Sequence, residues 1–262
     1  MAHLEQQFFI QYLSQHLAHN WNGLSILEIG SLSREGGVRQ FFQGSRFIGT
    51  DLVEGEGVDI AACGSKLDFP DNTFDVTISC ECFEHNPVWP ETFANMIRMT
   101  RPGGCVIMTC ATRGRIEHGT MRTDVLDSIG TTKIGWNYYK NLVVGDFTQR
   151  CDFEQIFQAH IFLSNSRSRD LFFVGLKAGV SPGTTQFNLN SKDLIDSFKS
   201  FRRRRWITSP LQEVLHSVYY FPVRILECLV KDEVRFQSAA ILYKKFISRN
   251  FQFLRRVYDR YK

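Results

Sequence analysis

Two strand-like runs early in the chain each end on a residue suited to holding a ligand. The run 24–29 closes on Gly30, and the run 46–50 closes on Asp51. A glycine lets the backbone bend against a ligand where a Cβ would intrude. A carboxylate about twenty residues further on can accept both hydroxyls of a ribose. Those two features fit NAD, another nucleotide or S-adenosylmethionine equally well. Loop spacing removes the dinucleotide. A Gly-x-Gly-x-x-Gly turn starting at Gly30 needs glycines where Leu32 and Glu35 stand, and the next ones come only at Gly36 and Gly37. A pyrophosphate requires closer backbone approach than that, whereas S-adenosylmethionine carries no phosphate.

The seven cysteines, at 63, 80, 82, 105, 110, 151 and 228, are odd in number and scattered. Cys80 and Cys82, one residue apart, suit an extended run better than a zinc knuckle, and His85 does not complete a four-ligand pattern. Reduced thiols and no metal are expected.

Such residues need elements to position them. Leu4, Phe8, Ile10, Leu13 and Leu17 predict a lead-in helix over 4–19. Strands are expected at 24–30, 46–51, 58–60, 73–80 and 105–110. A helix capped by Ser33 should run to Gln40 or Phe42, and another from Pro90 to Thr100. Residues 101–104 (RPGG) read as a stop and turn. The end of 153–163 and the run 170–177 flank a polar hexapeptide and read as a terminal hairpin. Strands alternating with helices, then a hairpin, predict an α/β, Rossmann-like seven-stranded, mostly parallel sheet with an antiparallel edge. The expected organisation is an N-terminal helix over 1–21, an α/β domain over 22–179, a linker over 180–190 and a mainly helical extension over 191–262, interrupted at Pro210 and Pro222.

At 262 residues and 43% hydrophobic, the chain can bury one large core with an appendage. Its start lacks a basic segment ahead of an apolar block, and the most apolar later stretch, 219–230, is too short to cross a bilayer. A cytoplasmic protein is therefore expected. Charge is unevenly placed: residues 191–262 hold sixteen Lys/Arg and seven Asp/Glu, against fifteen and twenty in the remainder. A basic tail on an acidic body often meets anionic surfaces.

Several segments together resemble a known family. EIGSL at 28–32, GVRQFF at 37–42 and FIGTDLVEGEGVD at 47–59 are similar to class I S-adenosylmethionine-dependent methyltransferases, in particular a bacterial group associated with surface-polysaccharide biosynthesis. So are LDFPDNTFDVTISCECFEH at 67–85, RPGGCVIM at 101–108 and FVGLKA at 173–178. The resemblance covers roughly residues 22 to 178. It implies that Glu28, Gly30 and Ser31 surround the methionine end of the cofactor, S-adenosyl-L-methionine. It also implies that Asp51 holds the ribose, Leu52 packs on adenine and Glu81 faces the sulfonium. Two positions depart from the family pattern: Leu32 replaces the loop's second glycine, and Cys63 replaces the acidic residue that commonly meets the adenine amino group. Adenine contact then falls to the backbone around Gly64 and Ser65.

Methyl transfer is an in-line displacement, so a protein supplies alignment and a route for the acceptor's proton. His85 and His118 are the candidate general bases, with satisfaction of loop carbonyls as the alternative role for each. His118 lies in RGRIEHG at 113–119. In the resembled group that stretch and the later aromatic motif, here GWNYYKNL at 135–142, help cover the acceptor. Tyr138 and Tyr139 read as packing and lid residues, and Asp75 as structural. The acceptor implied is a small molecule or glycan, methylated on a sugar hydroxyl. Leu32 and Cys63 sustain a rival, a non-catalytic interaction module of the same fold. A second rival is an RNA methyltransferase using the basic tail, where FRRRRW at 201–206 leads further mixtures of cations and rings, including 243–246 and 251–258. The plain reading of the tail is a helical appendage whose rings pack on the domain while its cations stay solvated. Of the functional readings, no RNA-binding fingerprint backs nucleic acid, so peripheral contact with anionic membrane at the inner face is the stronger.

Overall fold

The computed structural model describes residues 4–16, 23–32, 37–179 and 191–250. The chain divides into two compact units, 1–189 and 190–262.

The first unit is built on one seven-stranded sheet. Its strands are β1 (Ser25–Ile29), β2 (Arg46–Asp51), β3 (Ile60–Ala61), β4 (Phe74–Cys80), β5 (Thr100–Ala111), β6 (Phe157–Asn165) and β7 (Asp170–Lys177). Their spatial order is β3-β2-β1-β4-β5-β7-β6. The first five pair in parallel, while β7 runs antiparallel to both β5 and β6. This is the expected Rossmann-like sheet with its antiparallel edge. Strands β1, β4 and β7 are buried almost throughout, so that even polar residues within them, Glu28, Thr77 and Ser79, are enclosed.

The helices of this unit are α1 (Leu4–His16), α2 (Trp89–Met99), α3 (Ile129–Lys133), α4 (Val144–Thr148) and α5 (Phe153–Ile156). Adjacent residues of β7 point to opposite faces of the sheet. Phe172 stacks on Phe9 of α1, with ring centroids 4.8 Å apart. Phe173 enters the other face, against Phe93 of α2, Phe153, Phe157 and Phe162. Helix α2 buries Trp89, Thr92, Phe93, Met96 and Met99, a stripe at three- and four-residue spacing. Pro90 sits in its first turn, where a missing N–H costs nothing. Asn95 of α2 donates from Nδ2 to the carbonyls of Gly64 and Leu67, tying the helix to the loop after β3. Asp75 accepts the Ser25 N–H at 2.7 Å and pairs with Arg101, a structural role linking β1, β4 and β5.

Several elements differ from the sequence expectation. The segment 101–104 does not precede β5 but lies within it, as a bulge between the pairs Phe74–Thr100 and Val76–Cys105. Gly103 absorbs the bulge with φ near +73°. The helix expected before β2 is a single 3-10 turn at Val38–Phe41, and its expected cap, Ser33, lies outside the described residues. Strand β3 begins two residues later than expected, at Ile60. Residues 17–19 of the lead-in helix and the expected linker 180–190 also fall outside the described residues.

The second unit is helical: α6 (Ser191–Thr208), α7 (Pro210–Leu229) and α8 (Glu233–Asn250). Pro210 opens α7, but Pro222 sits inside it without ending it. The hydrogen bond that Pro222 withholds belongs to the carbonyl of Val218, an exposed residue, where water can take its place. Tyr243 of α8 donates its hydroxyl to the Tyr219 carbonyl of α7 at 2.7 Å, and Arg205 pairs with Glu213 at 3.3 Å. Residues 251–258, part of the basic and aromatic tail, are outside the described residues. Among the described residues no helix is long and apolar enough to cross a membrane. All seven cysteines are free thiols.

Candidate functional site

Strand order reverses at β1, which has β2 on one side and β4 on the other. In a parallel sheet the loops leaving such a point diverge, so a crevice opens beyond the carboxyl ends of the strands. A cleft of about 1180 Å³, measured out to open solvent, lies there. Its lining includes Glu28, Gly30, Ser31, Asp51, Leu52, Gly64, Glu81 and His85 from the sequence expectation.

The bend at Gly30 has a geometric cause. Its φ is near +85°, and a Cβ there would stand 2.8 Å from Cys82 Cβ. Only glycine fits both conditions. The amides of Gly30 and Ser31 both donate to the Thr50 carbonyl, at 2.8 and 3.0 Å, which pins the bend to the end of β2. Ser31 Oγ is buried without a hydrogen-bond partner and lies against Gly49 of β2, where a Cβ would stand 2.7 Å from it.

Asp51 closes β2 with its carboxylate braced by the loop: Oδ1 accepts from Leu52 N–H at 2.7 Å and Oδ2 from Leu32 N–H at 3.2 Å. Burial raises its pKa, and those amides oppose the rise. The segment 126–131, comprising part of a 3-10 turn and the start of α3, also lines the cleft. Gly130 passes so close that a Cβ there would be 2.5 Å from Asp51 Oδ1. A glycine at 130 thus leaves the carboxylate open to the crevice. Leu32, at the position where the resembled methyltransferases carry a glycine, is turned onto Gly55, where a Cβ would lie only 2.3 Å from Leu32 Cδ1. The small residue at 55 gives the leucine somewhere to go.

Cys63 lines the cleft and its Sγ lies 3.2 Å from Ser65 Oγ. Ser65 itself is not part of the lining. Gly64 serves packing, since a Cβ would meet Ile29 and Thr92 below 3 Å and push α2 off β1. Glu81 adopts φ near +51°, uncommon for a residue with a side chain, immediately past β4. Thr109 donates its hydroxyl to Glu81 Oε1 at 3.0 Å and accounts for how that carboxylate is held.

The two histidines occupy different positions. His85 is 3% exposed and lines the cleft; burial pulls its pKa down to about 3. Its imidazole is therefore neutral and a poor proton acceptor. His118 does not line the cleft. Its Nδ1 lies 3.2 Å from the Ile116 carbonyl, and its ring meets His85 edge-on with centroids 4.9 Å apart. Tyr139 packs against both rings, and Gly119 allows the approach, since a Cβ there would be 2.8 Å from His85 Cε1. Beside them Glu84 is fully buried with neither carboxylate oxygen hydrogen-bonded, and burial raises its pKa well above the ordinary value.

Sequence reasoning did not find Gln6 of α1, Cys82 or the 126–131 segment in the cleft wall. Gln6 had no local signal beyond a polar position on an otherwise apolar helix face. Trp136, in contrast, falls within the aromatic motif at 135–142 and does line the cleft.

Comparison with known proteins finds one family model that matches part of the chain and several similar solved structures. Residues 39–108, about a quarter of the chain, match the family model described as "Methyltransferase domain". No curated protein matches the chain. Among solved structures, phosphoethanolamine N-methyltransferase 2 of Haemonchus contortus, in complex with S-adenosyl-L-methionine, is 15% identical with a TM-score of 0.47. The match covers 67% of this chain and 53% of that one, so the chain spans about half the length of this relative. The YcgJ protein of Bacillus subtilis is 12% identical (TM-score 0.46, covering 67% of this chain and all of that one). The 1,6-didemethyltoxoflavin-N1-methyltransferase of Burkholderia thailandensis is 18% identical (TM-score 0.43, covering 65% and 78%). Likenesses at this level leave the chemistry to be argued from the cleft.

Glu28 offers a direct check on the cleft's electrostatics. Burial raises its pKa from 4.5 to about 8; the Arg39 charge opposes this and Asp51 adds to it. Unfolding releases that proton across the interval between the two values. The stabilising contribution is therefore full below about pH 4.5 and is lost as pH rises toward 8. In that window the ligand-free protein should lose up to ~1.4 kcal/mol per pH unit in urea unfolding, and Glu28→Gln should flatten the slope. An equal slope in the variant would place the titrating group elsewhere.

Proposed function

We propose that this chain is a methyltransferase that takes its methyl group from S-adenosyl-L-methionine and delivers it to a hydroxyl of a small-molecule or glycan acceptor. The observation that carries the reading is the pairing of the Gly30 bend with the braced Asp51 carboxylate at the strand-order reversal. The methyltransferase-domain match over 39–108 includes Asp51 and supports it.

The residues present fit this cofactor. Asp51 would accept the ribose hydroxyls, and Leu52 would pack on the adenine edge. The crevice lined by Gly30 and Ser31 suits the methionine end. Glu81 and Glu28 place carboxyl groups where a cationic ligand is held, and a cation would draw Glu28 toward its ionised form. When bound, the cofactor supplies a methyl on a sulfonium, already electrophilic. The protein's part is then to line up the acceptor and screen the site from water. His85, neutral and buried, sits in the cleft wall as a positioning group beside the acceptor. Trp136 offers a flat apolar face of the kind that packs against a sugar ring, and Gln6 and Asn86 add hydrogen-bonding groups nearby.

Calorimetric titration with S-adenosyl-L-methionine should show one site, weakened by about 1–3 kcal/mol in Asp51→Ala. Unchanged affinity in that variant would move the ribose away from β2, and no binding at all would favour the non-catalytic module. A tritium-methyl transfer screen of purified protein against nucleotide-sugars, lipid-linked glycans and total RNA should label a glycan fraction. Label confined to RNA would replace this acceptor with the nucleic-acid one.

A second reading concerns residues 191–250, where peripheral docking on anionic lipid has structural support. Helix α7 exposes Leu211, Val214, Val218, Phe221, Ile225 and Leu229, a stripe at three- and four-residue spacing. Helix α6 exposes Arg203, Arg204, Trp206 and Ile207 together. An apolar face beside cations matches the chemistry of an interfacial helix. The full chain should sediment with phosphatidylserine-containing vesicles and not with phosphatidylcholine alone. Arg203→Glu with Arg204→Glu should weaken this by ~1 kcal/mol or more per residue. Equal sedimentation of wild type and variant would dismiss the idea.

A further inference from the structure

Beside the cleft, Glu84, His85 and His118 converge from two loops that are far apart in sequence. Each offers one donor atom, and these atoms all lie within 4.8 Å of one another. A tetrahedral zinc ion with bonds of 2.0–2.1 Å would hold its donors ~3.3 Å apart, a contraction within reach of side-chain rotation.

Three further observations point to a ligand at this place. The Glu84 carboxylate is 0% exposed with no hydrogen-bond partner on either oxygen. A buried charged or polar group left so is costly unless something completes it. His85 Nδ1 is likewise buried and unpartnered. His118 Nδ1 faces the Ile116 carbonyl, and a carbonyl only accepts, so that nitrogen carries the proton. In the neutral ring the lone pair is then on Nε2. Donation of the second ring N–H to a backbone carbonyl is the usual way a metal-binding imidazole is oriented.

We propose that Glu84, His85 and His118 bind a divalent transition-metal ion of the zinc type, with two imidazoles and a carboxylate as ligands and at least one position left open. Two histidines and a glutamate form a donor set of open, catalytic zinc sites, whereas structural sites are closed by a fourth protein ligand. His85 belongs both to this triad and to the cleft wall, so the ion sits against the acceptor end of the crevice. The role of the ion, though not its binding, rests on the methyltransferase reading. An acceptor hydroxyl in the open position would have its pKa lowered, so that it could release its proton to water in the solvent-open cleft without a basic histidine.

Cobalt is the probe. Titrating the metal-stripped, folded full chain with Co²⁺ should produce the visible bands of a low-coordinate ion, saturating at one equivalent and abolished by added Zn²⁺. His118→Ala, at a half-exposed position that a folded protein tolerates, and the isosteric Glu84→Gln should each raise the dissociation constant ~100-fold or more, with melting curves showing both variants folded. Three results would overturn the site: no visible band, a band unchanged in both variants, or an intense thiolate charge-transfer band that assigns the ion to Cys63 or Cys82. None of these readouts depends on S-adenosyl-L-methionine. Failure of cofactor binding therefore leaves the metal result standing, and failure here leaves the cofactor reading intact.

Discussion

The cleft depends on how the ends of β1 and β2 are locked together. Two successive amides, from Gly30 and Ser31, donate to the single carbonyl of Thr50. The neighbouring Asp51 carboxylate then turns back to accept the amides of Leu32 and Leu52. The loop after β1 and the carboxylate at the end of β2 are thus parts of one hydrogen-bonded unit. The bend is possible only because residue 30 has no side chain to strike Cys82. Shifting either strand by one residue would separate the glycine from the carboxylate and reverse every side chain on that strand.

The rest of the first unit holds those strand ends in place. The aromatic cluster around Phe93, Phe147, Phe153 and Phe173 fastens α2, α4 and α5 to one face of the sheet. The Phe9–Phe172 stack fastens α1 to the other. Small residues set the separations. Gly64 lets α2 approach β1, Gly55 receives Leu32, and Gly130 passes over Asp51. These glycines act through the space they leave, since none of the three has a left-handed backbone.

Burial controls the ionisation of the site. Desolvation pushes Glu28 and Glu84 up and His85 down, so that each favours its neutral form in the ligand-free protein. A crevice arranged in this way gains by admitting a cation. The sulfonium of the proposed cofactor near Glu28 and Glu81, and the proposed metal ion at Glu84, would each restore charge to carboxyl groups that the apolar surroundings had neutralised. The same physics makes His85 a positioning group or a ligand in preference to a proton carrier.

Local sequence pattern determined much of this protein. Short runs rich in β-branched and aromatic residues, bounded by turn residues, made β1, β4 and the edge hairpin legible, and Gly30 and Asp51 stood out at strand ends. Turn chemistry misled where it stood alone. The segment RPGG at 101–104 has the composition of a turn, yet β4 pairs on both sides of it and makes it a bulge. Pro222 has the composition of a break, yet the helix continues past it. Only the tertiary structure decided what surrounds the cleft. Gln6, Gly130 and the partners of His85 arrive from elements tens of residues away, and no periodicity records which loops will meet. The orphaned Glu84 carboxylate is the clearest case. Its identity is printed in the chain, but its burial beside two imidazoles exists only because the loops after β4 and β5 leave the same end of adjacent strands.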